Sequence, residues 1–174
     1  MTVRGLAAAL VALALVVCGS PAMAGDKDLL IFMAGQSDID DYDEETFEGR
    51  IEFTSHYTDF AVEPIFGGFG PMLGLMASGK GSVFGYGGLY ADFFLGDHFV
   101  IRPEGGGGGF VAGNAKDLGG IFQFHAAITF AYVFENEARV GITLTHISNA
   151  SVHGSNPGLD AGLFMYSMPV GPWF

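Results

Sequence analysis

From Ile121 to Phe134 the chain alternates without a break. The even positions are Phe122, Phe124, Ala126, Ile128, Phe130, Tyr132 and Phe134, and the odd positions are Ile121, Gln123, His125, Ala127, Thr129, Ala131 and Val133. A period of two sends successive side chains to opposite faces of an extended strand. One face is therefore apolar throughout and the other is mixed. Ordinary strands run about 5–6 residues, whereas a tilted membrane-spanning strand needs about 9–11. The length of this stretch points to the second kind.

Neighbouring segments obey the same rule. Phe47, Gly49, Ile51 and Phe53 alternate with Glu48, Arg50, Glu52 and Thr54, and Val140, Ile142 and Leu144 alternate with Arg139, Gly141, Thr143 and Thr145. Segments 83–95 and 99–112 are richer in glycine, which weakens a strand but permits the tight curvature of a small barrel. Eight strands are predicted, over about 29–37, 46–57, 63–77, 82–95, 99–112, 119–134, 138–148 and 159–169. Gly96-Asp97-His98 and Glu135-Asn136-Glu137 are short turns, while Asp38–Glu45, Gly113–Leu118 and Asn149–Gly158 are longer, although Gly79-Lys80-Gly81 on that side is short. An even strand number, with short turns at one end and mostly longer loops at the other, is the outer-membrane pattern. The expected fold is all-β: one eight-stranded antiparallel outer-membrane β-barrel, its interior filled by side chains. The aromatic ending Trp173-Phe174 agrees, although Pro169 and Pro172 make it atypical.

Composition closes off the alternatives. The chain is 49% hydrophobic and only 15% charged, with a mean hydropathy of +0.38, which excludes a disordered chain. Its 28 glycines show no period of three, so it is not collagenous. After the first two dozen residues no apolar run reaches the roughly 18 residues of a spanning helix. Met1–Ala24 itself, with Arg4, the apolar stretch Leu6–Val17 and Ala22-Met23-Ala24 before Gly25, reads as a cleaved secretory signal. Cys18, the only cysteine, follows Val17 rather than a small residue and is assigned to that discarded segment. Residues 25–174 then form a single domain with 6 basic and 19 acidic side chains, a balance that excludes nucleic acid as a partner.

Glu48, Arg50, Glu52, Asp92, Arg102, Glu104 and Arg139 fall on inward faces, where an ion-pair network filling the lumen is the plain reading. His56 and His125 also point inward, and His98 lies in a turn. His146 differs. The apolar outward face of Val140, Ile142 and Leu144 continues to His146 and Ser148, about 6.6 Å apart along the backbone. Polar side chains on a lipid face are costly unless they lie at the interface or have partners. In the last strand Asp160 shares a face with Gly162, Phe164, Tyr166 and Met168, so a hairpin through 149–158 lets it lie beside the His146–Ser148 pair. A serine becomes a nucleophile when a histidine, oriented by a carboxylate, takes its proton. The amides of Asn149 and Asn156 are candidate oxyanion donors.

The stretch His146-Ile147-Ser148-Asn149-Ala150, followed by Asn156-Pro157-Gly158-Leu159, resembles the PagL-type lipid A 3-O-deacylases of Gram-negative outer membranes. The resemblance is specific over about 138–169 and general earlier, where Phe32-Met33-Ala34-Gly35 is compatible. It implies an eight-stranded barrel with its active site on the outer surface. It also implies hydrolysis, without metal or other cofactor, of the ester-linked acyl chain at the 3-position of lipid A. By position it makes His146 the general base, Ser148 the nucleophile and Asn156 the oxyanion residue, with Asn149 following the serine as it does in the family. The acid falls on Asp160, where better-known members carry glutamate. The partners implied are lipid A or lipopolysaccharide as substrate and the surrounding outer-membrane lipid; a homodimer is compatible with this reading.

A competing reading is a non-enzymatic small barrel acting as scaffold or adhesin. Its functional element would be Asp38-Ile39-Asp40-Asp41-Tyr42-Asp43-Glu44-Glu45, whose carboxylates suit a hard divalent cation. That stretch lacks the glycine of an EF-hand loop, and a solvated acidic loop is its simpler account.

Overall fold

A computed structural model describes residues 27–39, 45–56 and 65–171. The proposed signal Met1–Ala24, residues 40–44 of the acidic stretch and the ending Trp173-Phe174 lie outside the described residues. Eight strands follow one another: β1 (Asp28–Ser37), β2 (Thr46–Thr54), β3 (Phe66–Ser78), β4 (Val83–Leu95), β5 (Phe99–Val111), β6 (Phe122–Val133), β7 (Arg139–Ser148) and β8 (Leu159–Val170). Each pairs antiparallel with its neighbour in sequence, and β1 pairs with β8 to close the barrel, with Leu30 opposite Met168 and Gln36 opposite Gly162. All eight predicted segments are strands, with boundaries moved by up to three residues.

The alternation decides which way each side chain faces. Phe164 is 76% exposed and Leu73 68%, and both belong to an apolar outer band that includes Ile51, Leu75, Leu89, Phe130, Ile142 and Leu144. Closure without an edge satisfies the backbone in lipid. Among the described residues no helix is long and apolar enough to cross a membrane. Glycines line the contact between β4 and β5. A Cβ on the inward-facing Gly106 or Gly108 would overlap the carbonyl oxygens of Gly87 and Gly85, so only glycine allows the two strands to approach so closely.

The lumen is packed, as predicted for eight strands. Its apolar parts include Met72, Met76, Phe84, Tyr86, Phe110 and Ile147 in one cluster and Ile31, Met33, Val100, Val133, Leu163 and Met165 in another. The inward charges are buried and most are paired, Glu104 Oε2 being buried without a hydrogen-bond partner. Asp92 accepts from Arg102 Nε at 2.6 Å and from Arg139 Nη1 at 2.8 Å, and Arg50 Nε donates to Glu48 at 2.6 Å. Arg102 also lies 4.0 Å from the centre of the Tyr90 ring, and Tyr86 donates to Glu52. A charge buried away from water is tolerable only with such partners. This network is the filling of the barrel.

Candidate active site

The end of β7 turns a polar face outward because its inward residues are anchored. Thr143, Thr145 and Ile147 are buried in the lumen, which sends Leu144, His146 and Ser148 to the outside. Across the two ladders His146 lies opposite Ala126 of β6 and Asp160 of β8, and Ser148 lies opposite Phe124. Small Ala126 on one side leaves the imidazole free to lean toward Asp160 on the other. His146 Nδ1 and Asp160 Oδ1 are 2.9 Å apart, with the two side chains 50% and 43% exposed. A carboxylate on Nδ1 selects the tautomer that carries its proton there and leaves Nε2 as the basic nitrogen. Aspartate reaches the ring because it is the direct cross-strand partner of the histidine.

Ser148 shares the face of His146 and is half-buried. Among the hydrogen bonds of the described residues, none joins its Oγ to the imidazole, whose Nδ1 is held by Asp160. The structure thus brings His146 and Asp160 into contact and sets Ser148 next along the same face.

The β7–β8 hairpin, residues 149–158, begins directly after the serine. Asn149 is fully buried: its Nδ2 donates to the carbonyls of Leu118 and Ser155, each at 2.7 Å, and its backbone N–H donates to Asn156 Oδ1 at 2.9 Å. This corrects the expectation that the Asn149 amide is an oxyanion donor. Position 149 continues the inward parity of Thr145 and Ile147, so its side chain is buried and its amide hydrogens are committed, one to the hairpin and one to the β5–β6 connection. Asn156, by contrast, is exposed, and the bond at Oδ1 fixes which way its amide is turned. Its Nδ2 group is the half that remains for a substrate. Ala150 and Ser151 take left-handed backbone conformations, with φ of 51° and 64°, and Val152 N–H closes the turn onto Asn149 C=O.

Two further contributors carry little sequence signal. Gly158 has φ of 72°, and a Cβ there would lie 3.1 Å from His146 Cε1, so this glycine seats the imidazole edge as well as turning the chain. The Asn-Pro-Gly spelling announces a turn but not its contact with the ring. Ile39 N–H donates to the carbonyl of Asp160, extending the β1–β8 ladder past Ser37 to the acid itself.

The remaining histidines are occupied elsewhere. His125 is buried beside Arg50 and the Tyr86 ring, His56 contacts Tyr90 OH, and His98 stacks on Tyr132. Of the acidic stretch, Asp38 is ion-paired with Lys116 and Glu45 accepts from Gln36. Among the described residues no cluster of three or more His, Cys, Asp or Glu side chains is placed to hold a metal ion.

A closed barrel with an apolar belt, interrupted near its rim by a histidine–carboxylate pair, defines an outer-membrane β-barrel with a lipid-facing polar site. Residues 45–169 match the family model described as "Lipid A 3-O-deacylase (PagL)". The chain belongs to that family. Among solved structures it is similar to one described as "Crystal structure of the outer membrane enzyme PagL", at 20% identity with a TM-score of 0.63, over 82% of this chain and 99% of the other. It is also similar to a structure from "De novo design of transmembrane beta-barrels", at 11% identity and a TM-score of 0.54, over 84% and 97% of the two chains. At these identities the likeness concerns the fold. No curated protein matches the chain.

Proposed function

We propose that this outer-membrane protein is a serine esterase that removes the 3-O-linked acyl chain of lipid A. The observation that carries the reading is the His146–Asp160 pair on the lipid-facing surface beside Ser148, inside the region that matches the deacylase family. A lipid substrate stays in the outer leaflet, so a site acting on it has to open sideways from the barrel wall rather than into the lumen.

In the proposed reaction His146 Nε2 takes the Ser148 hydroxyl proton as Oγ attacks the ester carbonyl. Asp160 holds Nδ1–H and stabilises the imidazolium that forms. The developing oxyanion is met by Asn156 Nδ2, a donor fixed before the reaction begins. His146 then protonates the departing sugar oxygen, leaving an acyl-Ser148 ester. Water activated by the same imidazole hydrolyses that ester and releases a fatty acid. Met1–Ala24 serves in this reading as the export signal that delivers the barrel to the outer membrane.

The test is mass spectrometry of lipid A incubated with the purified, folded barrel. The wild type removes one 3-O-acyl chain, and Ser148→Ala, while retaining heat-modifiable migration, removes none. Deacylation by a folded Ser148→Ala barrel refutes the assignment.

A further inference from the structure

The two halves of the site are also connected by a route that leaves the β7–β8 hairpin. On the acid side, Asp160 C=O accepts from Ile39 N–H at 3.2 Å. The residue before Ile39 is Asp38, which adopts φ of 60° and buries its carboxylate against Lys116, with Oδ1 to Nζ at 2.7 Å. On the serine side, the carbonyl of Leu118, two residues after Lys116, accepts from Asn149 Nδ2 at 2.7 Å, and Asn149 follows Ser148. Gln123 donates to the same carbonyl and to Gly120, holding the strap 116–120 against the barrel.

We infer that the Asp38–Lys116 ion pair is a positioning element for the hydrolytic site, setting the His146–Asp160 half at its distance from the Ser148 half. The side chains are only 3% and 18% exposed, so the attraction is poorly screened and loss of one partner strands a charge. The pair joins the β1–β2 connection to the β5–β6 connection. It therefore constrains two loops, one hydrogen-bonded to the Asp160 carbonyl and the other to the Asn149 side chain. A site of this kind needs its groups placed to within about 0.5 Å, and a displacement of about 1 Å can cost on the order of a hundredfold in rate. Neither Asp38 nor Lys116 touches the reacting atoms in this scheme; both act through Asp160 and Ser148.

This inference rests on the deacylase reading, and the experiment separates the two. Lys116→Met, Asp38→Asn and the conservative Lys116→Arg are compared with the wild type as folded barrels, checked by heat-modifiable migration. Two rates are read: kcat and KM on lipid A in detergent micelles, and inactivation by a small fluorophosphonate, which reports the reactivity of Ser148 without the lipid. The expected result for the two neutralising variants is a fall of about tenfold in kcat and in fluorophosphonate inactivation alike. KM should be unchanged, and Lys116→Arg should recover most of the rate. Wild-type kcat in a folded Lys116→Met barrel overturns the inference, as does a rise in KM with normal fluorophosphonate reactivity, which would make Lys116 a substrate contact. If Asp38→Asn does not fold, the two Lys116 variants decide the matter. A wild-type barrel that leaves lipid A intact overturns the deacylase reading and this inference with it.

Discussion

Asp160 stands directly opposite His146 in the β7–β8 ladder and holds its Nδ1 at 2.9 Å, so the acid is supplied by strand register rather than by a loop. Directly opposed residues in an antiparallel pair have Cβ atoms about 4.5–5.5 Å apart, a separation that a short carboxylate spans. The shorter acid and its register belong together.

That relationship makes a prediction about length. Asp160→Asn should keep the barrel folded but lower kcat by about 10²–10⁴-fold, because an amide supports the wrong tautomer as readily as the right one. Asp160→Glu adds a methylene without moving the backbone and should retain only part of the activity, with KM little changed. Steady-state kinetics on lipid A check both. Full activity in Asp160→Asn would remove Asp160 from the mechanism.

The two asparagines should separate cleanly. Asn156→Asp keeps an oxygen for Asn149 N–H but removes the donor offered to the oxyanion, and it should lower kcat about 10²–10³-fold in a barrel of normal stability. Asn149→Ala instead removes the donor of the Ser155 carbonyl and leaves the Leu118 carbonyl with Gln123 alone, at about 1–3 kcal/mol in all. It should show first as a lowered unfolding midpoint in urea. Equal loss of rate and stability in both variants would contradict this division.

Much of this was legible in the residues because a barrel strand writes its two environments alternately. The run from Phe122 to Phe134 shows both the strand and its outer face, and the parity of β7 alone puts His146 and Ser148 outside. The same parity rule, carried one residue past the strand, also places Asn149 inside, where the structure finds it. The amide of Asn149 has the chemistry of an oxyanion donor, but its inward parity commits it to the carbonyls of Leu118 and Ser155. The backbone groups that hold the site, Ile39 N–H and the Leu118 carbonyl, are invisible in principle, since every residue carries them and only the packed loops select which ones are used.

Gly158 gives a sharper test of the seat beneath the histidine. Gly158→Ala introduces a left-handed non-glycine residue, costing about 1–2 kcal/mol, and a methyl group 3.1 Å from His146 Cε1. The unfolding free energy should fall by that amount, and kcat should fall further than stability alone explains because the ring is displaced from Ser148. Gly162→Ala, on the neighbouring outward position of β8 where a Cβ meets nothing within 4 Å, is the matched control and should change neither.

The lumen supplies the opposite case, stability without catalysis. Asp92 is ion-paired with both Arg102 and Arg139, with contacts of 2.6 to 2.8 Å, and all three side chains are buried. Asp92→Asn leaves two guanidinium groups without their counter-charge, which should destabilise the barrel by about 3–5 kcal/mol. Arg139 opens β7 and Ser148 closes it, so the strand's full length separates the disturbed network from the serine. Urea unfolding in detergent should therefore shift strongly while kcat, measured well below the new midpoint, stays at the wild-type value. A parallel loss of kcat in a folded Asp92→Asn barrel would mean that the lumen charges reach the site, and that the outer face does not work alone.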